Sequence, residues 1–558
     1  MRGFPRELLA VAPHAFQTPP PALWFLAASP TTLAPVSARQ IPPHLCLLLP
    51  VLLLALLAWQ LNFLCDDAYI SFRYTRNLVE GLGLGYNPGS VPPVEGYSNF
   101  LWVLAMAPFE ALGLDLGTSS RLLSAVSGLA LCAWVTAHAR QRFELDSLGT
   151  LLTGLFFASL PCSALWSTSG LATMPAALLL FGVYERLLGD PTRPRPVAAG
   201  IFGVFAVLMR ADGFVWVGLL LFGAGLYWLW EQRAAELGRG LLVCASIVGA
   251  ATLAHFAWRY SYYGDWLPNT ARAKAGFSVH RLGRGFDYLM QWWLSVPAAA
   301  LVMLLALRPM GRPWRAALCV SLCMALGAQA YALFVGGDFM PFGRFLVASM
   351  PFVTLLFAGH WKRWGMGPRA GALAFGMGAA LVLSNALACF DINLVPESVR
   401  SKYHFRLSAP SWQSERTMRD NMAYRTADWT VLGKALARFT DENDSIVLAG
   451  IGAIGYFSRV KIHDVYGLIS PEVIAATEPL ERATPGHDRM VNMEFFKNQR
   501  PTLAGAYFAG INAPLSYNLP IGWEQSSLSQ LVRIERHPLP ADDVFAPGTE
   551  LRLLVYKR

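Results

Sequence analysis

Residues 65–102 read CDDAYISFRYTRNLVEGLGLGYNPGSVPPVEGYSNFLW and form the first polar stretch after the first long apolar run. Asp66 and Asp67 stand where a membrane helix would emerge into water. Placing a carboxylate at a membrane face costs free energy, so such residues usually serve a function. Arg73, Arg76 and a group of aromatic rings follow in the same stretch. This combination predicts the catalytic loop of a membrane enzyme.

The composition is that of a membrane protein. Of 558 residues, 54% are hydrophobic and 15% are charged, which is too apolar for a soluble chain of this size. The net charge is +9, but residues 391–558 carry 19 Lys and Arg against 19 Asp and Glu, so the surplus lies in the first 390 residues. Cationic loops that flank membrane spans give this pattern, whereas a nucleic-acid binder concentrates basic residues on a soluble domain. We therefore expect a lipid bilayer around the chain and no nucleic-acid partner.

About a dozen apolar segments predict a transmembrane catalytic domain over residues 45–390. Arginine-rich loops occupy every second connection, and the positive-inside rule assigns those loops to the cytoplasm. Segment 98–113 is short and contains Pro108 and Glu110. We expect it to lie re-entrant or flat on the outer face, which leaves about eleven transmembrane helices. The Pro-rich residues 1–44 are then a cytoplasmic tail.

Residues 391–558 lack long apolar runs and predict a soluble α/β domain on the periplasmic side. A helix is expected near 427–440. The strand SIVLAG follows it at 445–450, and another strand is expected near 460–466.

A GxGxxG pattern, the spacing of dinucleotide-binding folds, follows the first of these strands. Its glycines are Gly450, Gly452 and Gly455. In such folds the acid that binds the ribose comes about twenty residues further on, and Asp464 is too close. A tight turn is therefore the preferred interpretation of these glycines.

The loops assigned to the outer face carry the unusual residues. They comprise residues 65–97, 165–170, 259–290 and 336–344. Polar stretches that are far apart in the sequence would thus share one membrane face. A single active site at the bilayer surface requires such an arrangement.

Asp66 and Asp67 are the catalytic candidates. On a helix, neighbouring side chains point about 100° apart, so the two carboxylates cannot act as one paired acid and base. One would act as general base toward the acceptor, while the other would fix a hydroxyl group, a divalent cation or the start of a helix. The structural alternative is that Asp66 is only the N-cap of a surface helix running to Gly81. No other cofactor is predicted.

A phosphate leaving group would explain the cations on the predicted outer side, because Arg and Lys stabilise charge on phosphate oxygens. Snorkelling to lipid headgroups is the alternative explanation for each of them. The residues predicted to bind the donor phosphate are Arg272, Lys274, Arg344 and Arg210. The residues predicted to contact the sugar or the acceptor are Arg73, Glu95, Tyr97, Asn99, Trp166, Ser169, Asp212, Asn269 and Asp338.

Taken in order, these motifs resemble the GT-C superfamily of polyprenyl-phosphate-sugar glycosyltransferases, and most closely the terminal β-(1→2)-arabinofuranosyltransferases and the related pilin arabinosyltransferase. The matching stretches run from about residue 60 to 470 and are DDAYISFRY, VEGYSNFLW, WSTSGL, RADG, YYGDWLPNTARAK, GGDFMPFGRF and GYFSRVKIHDVYGL. One departure is Ala172, which stands where these relatives commonly carry an acidic residue.

The resemblance implies a multi-pass enzyme of the bacterial inner membrane whose active site faces the periplasm. It would transfer a sugar, arabinofuranose, from a polyprenyl phosphate to an envelope glycan or glycoprotein, with Asp66 or Asp67 as base. Two alternatives remain open at this point. The same fold could use another lipid-linked sugar, or the chain could be a non-enzymatic envelope-lipid transporter or assembly protein.

Overall fold

The structure is a computed structural model of the chain. It describes residues 41–557 apart from 191, 232–234, 274, 275, 277, 307–314, 365–367, 408, 481, 511–527, 542 and 543. Nearly all of the Pro-rich tail and Lys274, one of the predicted phosphate ligands, therefore lie outside the described residues.

Helices make up the first part of the chain. In chain order they are α1 (Pro43–Gln60), α2 (Asp66–Val79), α3 (Phe100–Ala111), α4 (Leu116–Phe143), α5 (Ser147–Ser159), α6 (Pro161–Trp166), α7 (Thr173–Leu188), α8 (Pro196–Met209), α9 (Gly213–Glu231), α10 (Ala235–Tyr263), α11 (Asn269–Ala273), α12 (Val279–Ser295), α13 (Pro297–Leu305), α14 (Arg315–Val335), α15 (Met350–Trp364) and α16 (Pro368–Ala388). A 3₁₀ helix, Arg344–Ser349, leads directly into α15.

Seven helical stretches in the described residues are long and apolar enough to cross a membrane. They lie in α1, α4, α9, α10, α14, the run Arg344–Arg363 and α16. The pair α12 and α13, bent by 100°, would make an eighth span. Helix α3 has 12 residues, or roughly 18 Å at 1.5 Å per residue, which is less than the ~30 Å hydrocarbon core. The polytopic helical fold is confirmed, and the count of about eleven spans stays a prediction.

The local sequence sets the helix starts and their close packing. Asp115 caps α4 by accepting a hydrogen bond from the Thr118 amide at 2.7 Å. Gly154 of α5 faces Pro50 of α1, and a Cβ on this glycine would lie 2.5 Å from the Pro50 Cγ. A small residue is therefore required where α1 and α5 meet.

The C-terminal part is a small sheet with helices. Its elements are α17 (Glu397–Arg400), α18 (Glu415–Leu436), β1 (Ser445–Leu448), α19 (Gly452–Ser458), β2 (Lys461–Asp464), α20 (Pro471–Ala476), β3 (Leu503–Ala509), α21 (Leu528–Leu531), β4 (Val532–Pro538) and β5 (Glu550–Tyr556). The strand order is β2-β1-β3-β5-β4. Strand β1 pairs in parallel with β2 and β3, whereas the pairs β3/β5 and β4/β5 are antiparallel.

The two strands expected near 445–450 and 460–466 are confirmed as β1 and β2. The bounds predicted for the preceding helix are wrong, because α18 runs from Glu415 to Leu436. Ser414 caps it by accepting from the Thr417 amide at 3.1 Å, and this cap fixes the start about one dozen residues before the predicted one.

The C-terminal part and the membrane helices share a hydrophobic core. Ile70 and Tyr74 of α2 belong to the same buried cluster as Leu448 and Ile454 near the sheet. Residues Ile41–Arg558 accordingly form a single compact unit. Helix α2, which opens with the aspartate pair, is thus held between the membrane helices and the sheet.

Candidate active site

A cavity of about 470 Å³ lies between the start of α2 and the C-terminal part, and we call it the aspartate cavity. Cys65, Asp66, Asp67 and Ile70 line one wall. The other walls are formed by Phe339, Leu407, Met418, Met422, Arg425, Thr426, Trp429, Ala449, Gly450, Ile451, Tyr466, Leu468, Leu480, Arg482, Ala483, Thr484, Gly486, His487 and Met490. The volume is within the range of about 300–1,000 Å³ typical of small-molecule sites.

The carboxylate of Asp66 holds the N-terminus of α19. It accepts hydrogen bonds from the amides of Gly452 at 3.1 Å and Ala453 at 2.7 Å. The N-cap of α2 itself is Cys65, without a side-chain bond, so the predicted role of Asp66 as N-cap of its own helix is wrong. Burial raises the pKa of Asp66 to about 7, although the two amide bonds oppose the shift. Asp66 therefore fixes the start of α19, which lies nearly 390 residues further along the chain, and not the start of its own helix α2.

Asp67 is the aspartate that faces the cavity freely. Its side chain is 41% exposed, and its Oδ2 lies 4.0 Å from Nη1 of Arg344. Among the ion pairs of the described residues, Arg344 is the partner recorded for Asp67. Asp67 can therefore accept a proton from a molecule in the cavity beside a fixed positive charge.

Arg344 is held in place by the loop that precedes it. Its Nε and Nη2 donate to the two carboxylate oxygens of Asp338 at 2.6 and 3.1 Å. The guanidinium lies 5.9 Å from the ring centre of Trp166, which is fully buried. This bidentate pairing leaves Nη1 directed toward Asp67, so Asp338 and Trp166 orient Arg344.

Arg344 also lines a narrow cleft, the arginine cleft, with Arg210 and Asp212. Nε and Nη2 of Arg210 donate to Asp212 at 2.8 and 2.7 Å. The remaining lining is mostly apolar and comes from Thr173, Ala176, Leu180, Ala206, Gly213, Trp216, Phe345 and Ala348. The cleft has a volume of only about 20 Å³, and both of its arginines pair with an aspartate. Arg344 lines the cleft and Asp67 lines the aspartate cavity, and these two side chains lie 4.0 Å apart.

Ala172 directly precedes Thr173 of this cleft. It is buried and stands at the N-cap position of α7 without a side-chain cap. An acidic residue here would cap α7, and alanine leaves that position without a carboxylate.

Three other predicted site residues line a different cavity, of about 540 Å³, which we call the second cavity. They are Glu95, Asn269 and Arg272. Arg272 donates to Asp265 at 2.5 Å. The predicted set of phosphate ligands is therefore divided, because Arg272 lies with a carboxylate away from Arg210 and Arg344.

Six predicted contact residues line none of these three cavities. Trp166 and Asp338 orient Arg344, and the other four stabilise the fold. Tyr97 bonds the hydroxyl of Tyr263 at 3.0 Å. Asn99 and Ser71 bond through their side chains. Ser169 Oγ accepts from the Leu171 amide at 3.3 Å. Arg73 is buried and donates to backbone carbonyls of the C-terminal part. Their role as sugar or acceptor contacts stays a prediction.

Gly452 and Gly455 allow α19 to approach α2 and Tyr86 closely, whereas Gly450 packs against Trp429 of α18 within the C-terminal part. A Cβ on Gly452 would collide with Asp66, one on Gly455 with Tyr86, and one on Gly450 with Trp429. Gly452 and Gly455 lie within α19, so the predicted tight turn is wrong. A dinucleotide fold would place pyrophosphate on such helix amides, but Asp66 already binds them.

Sequence reasoning missed the wall that α18 contributes to the aspartate cavity. Met418, Met422, Arg425 and Trp429 line it, and their spacing of four, three and four residues places them on one helix face. The sequence signal that could have indicated this wall is an arginine within an otherwise apolar helix face. In the described residues no group of three or more His, Cys, Asp and Glu side chains could hold a metal ion. The divalent cation considered at Asp66 or Asp67 stays a prediction, and the proposed reaction does not involve one.

Asp66 should make stability depend on pH. Because its pKa is raised from 3.8 to about 7 in the folded chain, its contribution is present below about pH 4 and is lost as the pH rises through about 7. We expect the melting temperature of the wild type to fall more steeply from about pH 5 to about pH 8 than that of Asp66→Asn. Thermal unfolding followed by intrinsic fluorescence measures both slopes. Equal slopes would contradict the assignment.

Comparisons with known proteins give one matching family model, curated relatives and solved structures of similar fold. A family model described as "Domain of unknown function (DUF8728)" matches residues 416–542. A terminal β-(1→2)-arabinofuranosyltransferase of Mycobacterium tuberculosis is 26% identical over 329 residues, which is 52% of either chain. The present chain thus spans about half the length of that curated relative.

Two solved structures share the fold. ArnT from Cupriavidus metallidurans bound to undecaprenyl phosphate has a TM-score of 0.52 at 13% identity, covering 92% of this chain and 97% of that one. Arabinofuranosyltransferase AftD from Mycobacteria has a TM-score of 0.50 at 15% identity, covering 92% of this chain and 40% of that one. The resemblance to GT-C glycosyltransferases is confirmed, and the fold is that of a polytopic helical membrane protein with a small C-terminal sheet.

Proposed function

We propose that the chain is a GT-C glycosyltransferase that moves a sugar from a polyprenyl phosphate to an envelope glycan or glycoprotein. The observation that carries this proposal is the 4.0 Å approach of Asp67, which lines the aspartate cavity, to Arg344, which lines the arginine cleft with Arg210. In the proposal the cavity takes the acceptor, and the two arginines contact the phosphate of the lipid-linked donor.

In the proposed reaction, the acceptor hydroxyl in the aspartate cavity loses its proton to Asp67. Its oxygen attacks the anomeric carbon of the donor and forms the glycosidic bond, while the bond from that carbon to the phosphate oxygen breaks. The negative charge that develops on the departing polyprenyl phosphate is stabilised by Arg344 and Arg210. Asp338 and Asp212 hold these two arginines in place.

Arabinofuranose as the donor sugar is supported by the name of the curated relative, which is a terminal arabinofuranosyltransferase. A polyprenyl phosphate carrier is supported by the undecaprenyl phosphate bound to ArnT. The charge pattern of the loops supports placement of the site on the periplasmic face of the bacterial inner membrane. Assays with a panel of other lipid-linked sugars distinguish transfer of arabinofuranose from the same reaction with a different donor sugar.

The test is transfer by the purified chain from polyprenyl-phosphoryl arabinofuranose to an envelope glycan, with release of polyprenyl phosphate as the readout. We expect Arg344→Lys to lower kcat by roughly 10²–10³-fold, because lysine loses the forked pairing with Asp338 and the donor at Nη1. The matched control is Arg533→Lys, since Arg533 is 65% exposed on β4. An Arg344→Lys rate equal to that of the control would contradict the proposed role.

Failure of the wild type with every lipid-linked donor, in protein shown to be folded, would contradict the enzymatic proposal. It would favour the transporter or assembly alternatives. Turnover with a donor other than arabinofuranose would keep the reaction and replace the sugar.

A further inference from the structure

The turn that leads into Arg344 has an unfavourable backbone conformation. Phe342 and Gly343 both adopt the left-handed conformation, with φ of 53° and 67°. Glycine takes this conformation readily, whereas the Cβ of other residues makes it unfavourable. Phe342 is only 2% exposed, so a bulky buried side chain is held in a conformation that is unfavourable for it. The surrounding structure therefore imposes this turn, and the turn sets the point from which the Arg344 side chain extends.

Glu415 and Arg406 supply the hydrogen bonds that hold this turn. The Phe342 amide donates to Oε2 of Glu415, and Nε of Arg406 donates to the carbonyl of Phe339 at 2.7 Å. In the described part of the chain, every hydrogen bond from residues 339–342 to another segment goes to Glu415 or Arg406. The turn is thus fixed by partners that lie 67 and 73 residues further along the chain.

The carboxylate of Glu415 is itself fixed in place. Glu415 is 5% exposed and lies at the start of α18. Its Oε1 accepts from Nε2 of Gln291 at 2.7 Å, and Nη2 of Arg406 donates to its two oxygens at 2.9 and 3.0 Å. Gln291 is held in turn by Nε1 of Trp412, which donates to its Oε1 at 2.9 Å. Both oxygens of Glu415 therefore face donors from separate segments, which fixes the position of the carboxylate.

This turn leads to the contact between Arg344 and Asp67. Arg344 follows Gly343 directly, and its Nη1 lies 4.0 Å from Oδ2 of Asp67. Asp338 fixes the guanidinium, whereas Glu415 fixes the backbone that precedes it. Glu415 lines none of the three cavities, so it can affect a bound substrate only through the residues that it holds.

We propose that Glu415 is a positioning residue, which sets the place of Arg344 by holding Phe342 in the left-handed conformation. The inference rests on the proposed function for the role of Arg344, whereas the hold on the turn is independent of it. Glutamine cannot replace this glutamate, because both oxygens accept hydrogen bonds. An amide has an NH₂ group in place of one oxygen, and that group would face a donor in either orientation.

The first measurement is hydrogen exchange of the full chain in lipid nanodiscs, without donor or acceptor, by mass spectrometry of peptides that cover residues 336–346. We expect the Phe342 amide to exchange at least about tenfold faster in Glu415→Gln than in the wild type, because it loses its acceptor. Glu397→Gln is the matched control, since Glu397 is exposed at the start of α17. If Glu415→Gln does not fold, Glu415→Asp carries the same test, because it keeps the charge beside Arg406 and draws the carboxylate away from Phe342. Unchanged exchange in the folded variant would overturn the proposal.

The second measurement is a double-mutant cycle on sugar transfer with Arg344→Lys. We expect Glu415→Gln to lower kcat by about tenfold and to leave the KM for the acceptor nearly unchanged, because a catalytic group is displaced. In the Arg344→Lys background the loss should be no more than about twofold, since both substitutions act through one side chain. Equal losses in the two backgrounds, or a change confined to KM, would overturn the proposal, because Glu415 would then act on the fold or on the cavity wall of α18. Faster exchange in a chain whose wild type transfers no sugar would overturn the proposed function and leave the hold on the turn standing.

Discussion

Replacing Asp67 with asparagine is expected to lower kcat by about 10²–10⁴-fold, the usual contribution of a general base. Asparagine keeps the size of the side chain but cannot take the proton from the acceptor hydroxyl. Stability should change little, because the Asp67 side chain is 41% exposed and its contact with Arg344 is long. Exposed ion pairs contribute only about 0–1 kcal/mol. Steady-state rates and a melting temperature on the same preparation measure both effects.

Asp66→Asn is the informative companion variant. Asp66 holds the amides of Gly452 and Ala453, so this substitution should lower the melting temperature and affect kcat indirectly, through the position of α2. If Asp66→Asn abolished turnover at unchanged stability while Asp67→Asn retained it, the two roles would be exchanged. If neither substitution changed the rate, the base would lie elsewhere.

The parts of the site that the sequence predicts best are local. Arg210 pairs with Asp212 within RADG, and Arg344 pairs with Asp338 within GGDFMPFGR. Partners separated by two or six residues are constrained by the short loop that contains them. A polar motif at the end of an apolar run therefore indicates which residues lie together, although these four were predicted as separate ligands and not as two ion pairs. The polytopic fold follows for the same reason, because apolar runs are local features.

Long-range partners were not predictable in this way. Arg73 and Arg344 are the same residue type, in polar stretches of similar composition, yet Arg73 is buried by residues about 380 positions away. The same holds for Asp66, whose partners are the amides of α19. The wall from residues 480–490 also comes from a separate part of the chain. Which donors remain free for a substrate depends on how the C-terminal part docks, and no local pattern encodes that.

Side chains of α2 bind both ends of α19. Their charges complement the dipole of α19, with an aspartate at its N-terminus and arginines near its C-terminus. Asp66 binds the amides at its N-terminus. Arg73 donates to the carbonyl of Gly455 at 2.7 Å, and to those of Val460 and Tyr86 at 2.8 and 2.9 Å. Arg76 adds a bond to the carbonyl of Tyr456 at 2.8 Å. The C-terminal part is therefore attached through the same helix that carries Asp67.

We expect Arg73→Met to destabilise the folded chain by roughly 1–3 kcal/mol. It leaves the carbonyl of Val460 without its Arg73 donor, whereas the carbonyl of Gly455 still accepts from the Arg459 amide and that of Tyr86 still accepts from Asn77 Nδ2. The melting temperature and the rate of proteolytic cleavage between residues 391 and 414 measure the effect. Arg438→Met, at an exposed arginine just after α18, is the control for loss of charge. A melting temperature equal to that of the control would contradict the docking role.

Gly455→Ala tests the same contact from the other side, because its Cβ would collide with Tyr86 and lie 3.0 Å from Nη1 of Arg73. Overpacking of this kind costs about 1–3 kcal/mol. Gly283→Ala is the matched control, since Gly283 lies in α12 with nothing within 4 Å of the added carbon. Residues in contact give non-additive effects, so the double variant with Arg73→Met should lose less than the sum of the two single losses. Additive losses would show that the two residues do not act through one interface.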